Sequence, residues 1–282
     1  MTELSPAAVR PWQRWLLCAA AAAALVAAGC TTTSTTTTSL ADMKNSPPTP
    51  VTPDSPQAQA ERRADLRLQL AVGYFQNGQT EIAMQEVNKS LAADPNFADA
   101  YNLRGLIYMR QGDAGQAEDS FRRAIAIKPH DPDSRHNYGW LLCQQKRYAD
   151  ASQQFAAALA IPTYQDAAKT LMTQGVCQMQ AGDRATAEKT LSQAYEMDAG
   201  NPVIGYNLAS LLYQRQDYTR ALFYIRRINN SQLSNAESLW LGVKTERRLG
   251  NREAMSQLGD QLQRRYPQSR EALAYERGSF DD

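Results

Sequence analysis

Small and bulky apolar residues return at a fixed interval along most of this chain, and the interval predicts pairs of helices. Ala71, Gly105 and Gly139 are separated by steps of 34 residues, each within a stretch of helical apolar spacing. Small residues let two helices approach closely, and bulky residues fill the space between them. The other positions that keep this step are Ala83, Ala117, Ala151, Val87, Phe121 and Phe155. A period of this length predicts a solenoid of stacked helix pairs.

Proline and glycine mark the ends of the predicted helices. Pro95 and Pro129 also lie 34 residues apart, and each closes a second helix. Inside the pairs, short turns carry a glycine that can take the left-handed conformation with which a first helix ends. These turns cover residues 77–79, 111–113, 181–183 and 249–251. The sequence therefore divides each of these repeats into two helices and a turn.

The pattern continues less strictly toward the C-terminus. A fourth repeat is offset by 36 residues because the loop at 162–164 is longer, and a weaker sixth repeat ends at 266–267. The small, small and bulky positions of the last three repeats are Gly175, Ala187 and Leu191, then Ala209, Ala221 and Ile225, then Gly242, Ala254 and Leu258. These are the eighth, twentieth and twenty-fourth positions of a tetratricopeptide repeat. We therefore expect an all-α fold, a right-handed tetratricopeptide-repeat superhelix (α-solenoid) of about six helix-turn-helix repeats.

The first 30 residues resemble a bacterial lipoprotein signal. Two arginines precede an apolar run, 16–28, that is shorter than the roughly 20 residues of a membrane-spanning helix. Small residues then lead to Cys30, the position that the lipobox requires, although Ala27 stands where leucine is usual. Residues 1–29 are therefore predicted to be a signal peptide, and Cys30 a lipidated N-terminus that anchors the chain to a membrane. The alternative is an ordinary cleaved signal with an incidental cysteine.

Residues 30–60 are predicted to form a lipidated tether. The segment opens with a run of threonine and serine and later carries five prolines. Such a composition does not bury enough apolar surface to offset its ordering entropy. About 30 residues would reach at most roughly 100 Å from the membrane. Thr31, rather than aspartate, follows the cysteine, which favours the outer membrane by resemblance to enterobacterial sorting signals. The six-repeat solenoid is then expected over 61–270 and a C-terminal tail over 271–282.

The first helices of such a superhelix line its inner groove, and repeat positions five, nine and twelve point into the groove. In this chain these positions are mostly apolar or aromatic, so we expect the groove to bind an apolar segment of a partner protein. The first two or three repeats should contribute most, because their apolar stripe is the most continuous. The alternative is that single side chains pack against the next repeat or the C-terminal helix. The main candidates are Leu68, Val72, Phe75, Asn102, Leu106, Met109, His136 and Trp140, and the later positions are Cys143, Met172, Val176, Met179, Tyr206, Ser210, Tyr213, Leu239, Val243 and Glu246.

Composition and motifs argue against catalysis and nucleic-acid binding. The chain has 30 basic and 29 acidic residues, and the two balance outside the first 29 residues, so no global field attracts nucleic acid. It contains two histidines, His130 and His136, and no phosphate-binding loop, zinc motif or nucleophile elbow. We expect no enzyme activity, metal, small-molecule substrate or cofactor beyond the covalent lipid on Cys30. An enzyme with an unfamiliar site at His136 is the competing hypothesis.

Cys143 and Cys177 remain once the signal peptide and the lipid site are set aside. They lie on the first helices of successive repeats, in a chain that is expected to reach an oxidising compartment. A disulfide requires Cα atoms within about 7 Å of each other. The two cysteines could therefore form a disulfide or remain as two buried free thiols, and we expect free thiols.

Two stretches go beyond a generic repeat. The first, residues 136–151, contains His-Asn-Tyr-Gly-Trp followed by Gln-Gln-Lys-Arg-Tyr. The second, residues 235–242, is followed further along the chain by Gln-Leu-Gln-Arg-Arg-Tyr-Pro at 261–267. They resemble the Asn-Asn-Tyr-Gly…Gln-Lys-Arg-Tyr segment and the last repeat of the type IV pilus biogenesis and stability lipoproteins, the PilF/PilW family. The signal, the six repeats and the total length are similar too. This chain differs in its longer Thr/Pro tether and in Cys143, where the family pattern often has tyrosine.

The resemblance implies a function. Members of that family are outer-membrane lipoproteins that help the pilus secretin reach, insert into or multimerise in the outer membrane. It implies a pilotin: the repeats would hold a segment of the type IV pilus secretin, while the lipid places the protein on the outer membrane facing the periplasm. Twitching motility would then depend on it. The alternative is a repeat lipoprotein that serves another envelope machine, such as barrel assembly or control of peptidoglycan enzymes.

Overall fold

The computed structural model describes residues 55–280. The predicted signal peptide, the lipid site Cys30 and most of the predicted tether lie outside the described residues. Within 55–280 the chain forms thirteen α-helices and no strands, which confirms the all-α fold. No helix in this part of the chain is both long enough and apolar enough to cross a membrane.

The helices follow the predicted alternation of first and second helices. Odd-numbered helices from α1 to α11 begin the six repeats, even-numbered helices complete them, and α13 follows the last repeat. The bounds are α1 Pro56–Gln76, α2 Thr80–Ala93, α3 Ala98–Gln111, α4 Ala114–Ile127, α5 Pro132–Gln144, α6 Tyr148–Leu159, α7 Ala167–Gln180, α8 Arg184–Met197, α9 Pro202–Gln214, α10 Tyr218–Asn229, α11 Ala236–Arg248, α12 Arg252–Arg265 and α13 Arg270–Arg277.

Both ends of the described chain are more helical than the sequence predicted. Helix α1 begins at Pro56, inside the expected tether, because Ser55 caps it and proline suits the first helical position. Helix α13 occupies most of the expected tail. Its N-cap is Ser269, whose hydroxyl accepts from Ala272 N–H at 3.1 Å, and Gly278 ends it in a left-handed conformation.

The turns within the repeats have the predicted left-handed residue. Gly78, Gly112, Gly182 and Gly250 have φ between 76° and 85°, as expected for a glycine that ends a first helix. The third and fifth repeats instead place Lys146 (φ 62°) and Gln216 (φ 64°) there. A side chain in this conformation costs about 1–2 kcal/mol, so these two turns carry local strain.

Close packing inside each repeat explains the period of small and bulky residues. A Cβ added to Gly105 would lie 2.5 Å from the Phe121 ring, and one added to Gly139 would lie 2.8 Å from the Phe155 ring. The same relation joins Gly242 to Leu258 in the sixth repeat. Because the bulky ring lies directly on the helix backbone, the glycine is required by the packing and not by the helix.

Each helix packs mainly on its neighbours in sequence, and each first helix also contacts the next first helix. The core is therefore a series of clusters along the solenoid, as expected for a repeat protein. At the C-terminal end, α13 packs on α11 and α12 and buries Ala272 against Leu239 and Leu262. Helix α13 thus closes the apolar end of the last repeat.

Candidate partner-binding surface

The first helices lie side by side from α1 to α11 and form the inner surface of the solenoid. In the first two repeats all six predicted groove residues reach this surface. Val72 is 36% exposed, and the other five are half-buried against the clusters beneath them. We call this set the N-terminal stripe, and its members are Leu68, Val72, Phe75, Asn102, Leu106 and Met109.

An arginine lies on the N-terminal stripe that the sequence had not singled out. The Arg110 guanidinium lies 3.7 Å from the centre of the Phe75 ring and donates a hydrogen bond of 2.7 Å to the Phe75 carbonyl. This contact fixes the ring of Phe75 against α3. Asn102 is held similarly, since its Oδ1 accepts from Asn137 at 3.0 Å. The stripe is therefore a preformed surface on α1 and α3, supported from α5 by Asn137.

His136 is buried rather than exposed in the groove. It is 6% exposed, its ring lies 6.1 Å from that of Phe155, and its Nδ1 is 2.7 Å from the Thr170 hydroxyl, which also bonds the Tyr164 hydroxyl. Burial and the nearby Lys169 lower the pKa of His136 to about 4, so the ring is neutral at neutral pH. The groove prediction is wrong here, because the fourth repeat covers this side chain.

Cys143 and Cys177 form a disulfide, with Cα atoms 5.8 Å apart. The expectation of two free thiols is therefore wrong. Both residues are almost fully buried, and the bond joins α5 to α7 across the third and fourth repeats. Cys143 is consequently not a groove residue. Trp140, one turn before it, stays half-buried on the same surface and packs on the cluster around the disulfide.

The predicted groove residues of the sixth repeat are also buried. Leu239 and Val243 are 0% exposed, and Glu246 is 1% exposed. Helix α13 covers Leu239, and the Glu246 carboxylate turns away to bind Arg226 of α10. For Leu239 the alternative therefore holds, in which a groove side chain packs against the C-terminal helix, although the bounds of that helix had been assigned to a tail.

At the C-terminal end of the inner surface lies an aromatic depression of about 330 Å³, which is not lined by the predicted residues of the sixth repeat. Trp240 and Lys244 of α11 face the predicted Tyr206, Ser210 and Tyr213 of α9, and the Lys244 ammonium lies 5.6 Å from the rings of both Tyr213 and Trp240. We call these five residues the C-terminal depression. Between it and the N-terminal stripe lie Met172, Val176 and Met179 of the fourth repeat, all half-buried.

The described residues contain no group of three or more His, Cys, Asp or Glu side chains placed to hold a metal ion. The inner surface instead offers apolar and aromatic side chains, with Arg110 at the N-terminal stripe and Glu237, Lys244 and Glu271 at the C-terminal depression. Such a surface suits recognition of another polypeptide.

Comparison with known proteins agrees with this fold and surface. Models of the tetratricopeptide repeat match residues 68–132, 108–175 and 178–240. The type IV pilus assembly protein PilF of Pseudomonas aeruginosa is 28% identical over 207 residues, which cover 73% of this chain and 82% of PilF. The solved structure of P. aeruginosa PilF has a TM-score of 0.69 at 27% identity and covers 78% of this chain and 99% of that one. The structure of PilW, described as a widely conserved type IV pilus biogenesis factor, has a TM-score of 0.70 at 28% identity, covering 76% and 98%.

The repeat positions, the helix pairs and the matching models define this protein as a tetratricopeptide-repeat protein. Since its similarity to PilF and PilW spans nearly all of their length, it is a PilF/PilW-like protein within that class.

Proposed function

We propose that this protein is an outer-membrane lipoprotein that acts as a pilotin, or assembly factor, for the type IV pilus secretin. The observation that carries the proposal is the match to PilF and PilW, whose names place them in pilus assembly and biogenesis, over 99% and 98% of their structures. A similarity that spans all six repeats favours a shared role more strongly than one shared repeat would.

The N-terminal stripe is the proposed site for a secretin segment. Its side chains are apolar except for Asn102 and lie close to solvent, and Arg110 and Asn137 hold Phe75 and Asn102 in place. A preformed surface loses little entropy when a partner binds, and burial of its apolar side chains favours association. A helical or extended apolar segment would suit it.

The proposed membrane anchor is a lipid on Cys30, which follows the signal sequence directly. The Cys143–Cys177 disulfide supports export independently, because structural disulfides persist in oxidising compartments such as the periplasm. In this arrangement the lipid holds the chain on the outer membrane while the repeats face the periplasm and hold the secretin. We propose no catalytic role, cofactor, nucleic acid or small-molecule substrate.

The test is secretin assembly in cells that carry either Cys30→Ala or a deletion of the gene. Outer- and inner-membrane fractions are run without full denaturation, so that secretin multimers separate from monomers. The proposal predicts that multimers vanish or move to the inner membrane in both strains and that twitching is lost. Normal outer-membrane multimers in both strains would point instead to a scaffold for another envelope machine.

A further inference from the structure

Four of the described glutamates each form an ion pair with an arginine from another part of the chain, and one of them differs from the rest. Glu86, Glu118 and Glu188 each use both carboxylate oxygens, and each oxygen contacts its own donor on this chain. Their partners are Arg67 and Lys89 for Glu86, Tyr138 and Arg147 for Glu118, and Arg215 and Arg220 for Glu188.

Glu246 is the exception, although at 1% exposure it is the most buried of the four. Arg226 donates to its Oε1 from both Nε and Nη2, at 3.1 and 2.7 Å. Its Oε2 is buried and has no hydrogen-bond partner among the described residues. A buried carboxylate oxygen without a donor is costly, so a donor brought to Oε2 from outside the chain would stabilise it.

A cleft of about 360 Å³ lies beside this carboxylate, between the second helices α10 and α12 with α11 as its floor. Asn229 lines the same cleft and is also incompletely paired. Its Nδ2 donates to the Ser238 carbonyl at 3.0 Å, which fixes the orientation of the amide, and its buried Oδ1 has no partner among the described residues. Two residues that line this cleft thus each carry a buried acceptor without a donor.

The rest of the cleft has a consistent chemistry. Leu222, Ile225 and Leu258 supply apolar walls, and Gln257 and Gln261 lie along α12. Arg226 also lines the cleft, with its guanidinium held on Glu246 Oε1, so Oε2 is the oxygen left for a second donor. Gly242 admits the Asn229 amide, because a Cβ at that position would lie 2.5 Å from Nδ2. Apolar walls beside two acceptors match an aliphatic chain that ends in a hydrogen-bond donor with positive charge.

We propose that this cleft binds an ammonium or guanidinium group carried on a short aliphatic chain, with Glu246 Oε2 and Asn229 Oδ1 as its acceptors. The bound cation gives Glu246 Oε2 a donor, so that both carboxylate oxygens are paired, as they are within the chain for the other three glutamates. A lysine or arginine side chain of a partner protein and a free polyamine both carry this chemistry. The site lies between the fifth and sixth repeats and does not depend on the proposed function of the N-terminal stripe.

The test is a titration of the unlipidated mature chain, residues 30–282 with Cys30→Ser, labelled with ¹⁵N. The probes are N-acetyl-lysine methylamide and putrescine, and the matched neutral probe is the same lysine derivative acetylated on Nζ. We expect saturable shifts of the Gly242 and Asn229 backbone amides with both cationic probes and none with the neutral one. Tighter binding of the lysine derivative identifies a partner side chain as the ligand, and tighter binding of putrescine identifies a free polyamine.

Two variants and a control make the result decisive. Glu246→Gln should weaken both cationic probes about tenfold or more, since it removes the charged acceptor. Glu118→Gln alters a fully paired glutamate and should leave probe binding unchanged. Gln261→Lys places an ammonium group in the cleft, so it should abolish binding and raise the melting temperature even if Glu246→Gln does not fold. The absence of saturable shifts in the parent chain, or unchanged binding in Gln261→Lys, would overturn the proposal.

Discussion

The N-terminal stripe and the C-terminal depression lie on the same inner surface, yet the same repeat positions give different surfaces in the two regions. In the first two repeats, the side chains at positions five, nine and twelve are all exposed or half-buried. In the sixth repeat α13 covers Leu239, and Trp240 and Lys244 line the surface in place of the predicted residues. The comparison teaches that a repeat position defines the direction of a side chain, while the neighbouring repeat or cap decides its exposure.

The segment between the two regions is held by the disulfide, and its removal should have the largest effect on stability. Cys143 and Cys177 close a loop of 34 residues, for which the loss of chain entropy in the unfolded state predicts about 3–4 kcal/mol. Cys143→Ala with Cys177→Ala should lower the free energy of unfolding by that amount in urea titrations. A reducing agent should destabilise the parent chain similarly and leave the double variant unaffected. Equal stability of parent and variant would contradict the structural role of the bond.

Buried His136 makes this middle segment sensitive to pH. Its folded-state pKa is about 4 against an ordinary value of 6.5, so the unfolded state binds a proton first as pH falls. Above about pH 6.5 the neutral ring leaves the free energy of unfolding independent of pH. As pH falls from about 6.5 to about 4, the free energy of unfolding decreases by up to about 3 kcal/mol. The difference in unfolding free energy between the parent chain and His136→Gln should therefore shrink across this window. A difference that is constant with pH would contradict the assigned burial.

The packing of glycine against a bulky residue can be tested by adding one methyl group. Gly139→Ala forces a Cβ against the Phe155 ring and should cost about 1–3 kcal/mol. Gly73 of α1 is the matched control, because nothing lies within 4 Å of its added Cβ. Gly73→Ala should stabilise the chain by about 0.5–1 kcal/mol through helix propensity. Thermal melts of the two variants that shift in the same direction would disprove this packing account.

The smallest expected effect concerns the two strained turns. Gln216→Gly and Lys146→Gly replace side chains at φ values of 64° and 62°, and each should stabilise the chain by about 1 kcal/mol. The change Gly112→Ala, at φ 80°, should have the opposite sign. Urea titrations that show no gain from Gln216→Gly would indicate that this turn relaxes in solution.

The repeat architecture could be predicted from the sequence because its signals are local. The 34-residue step, the turn glycines and the small residues each report contacts within one helix pair, and the structure reproduces those pairs from α1 to α12. The match to PilF and PilW likewise confirms the family that the sequence predicted.

Contacts between repeats were harder to predict. The burial of His136 depends on Thr170, which lies 34 residues later, and the disulfide depends on the relative position of α5 and α7. Helix α13 is short, and only its capping residues Ser269 and Gly278 signalled it. Arg110 was missed because it lies one position beyond the three groove positions, although its place one repeat and one residue after Phe75 could have indicated the contact.

The most direct test of the central claim is to measure secretin binding by variants in the two regions. The unlipidated mature chain would be titrated with purified secretin periplasmic domain and compared with Phe75→Ala/Leu106→Ala and with Tyr206→Ala/Trp240→Ala, after thermal melts confirm that both variants are folded. Our account predicts that the N-terminal pair weakens binding at least about tenfold, since two buried apolar contacts are lost. The C-terminal pair should bind like the parent. Unchanged binding by Phe75→Ala/Leu106→Ala, or a larger loss in Tyr206→Ala/Trp240→Ala, would contradict the assignment of the partner site to the N-terminal stripe.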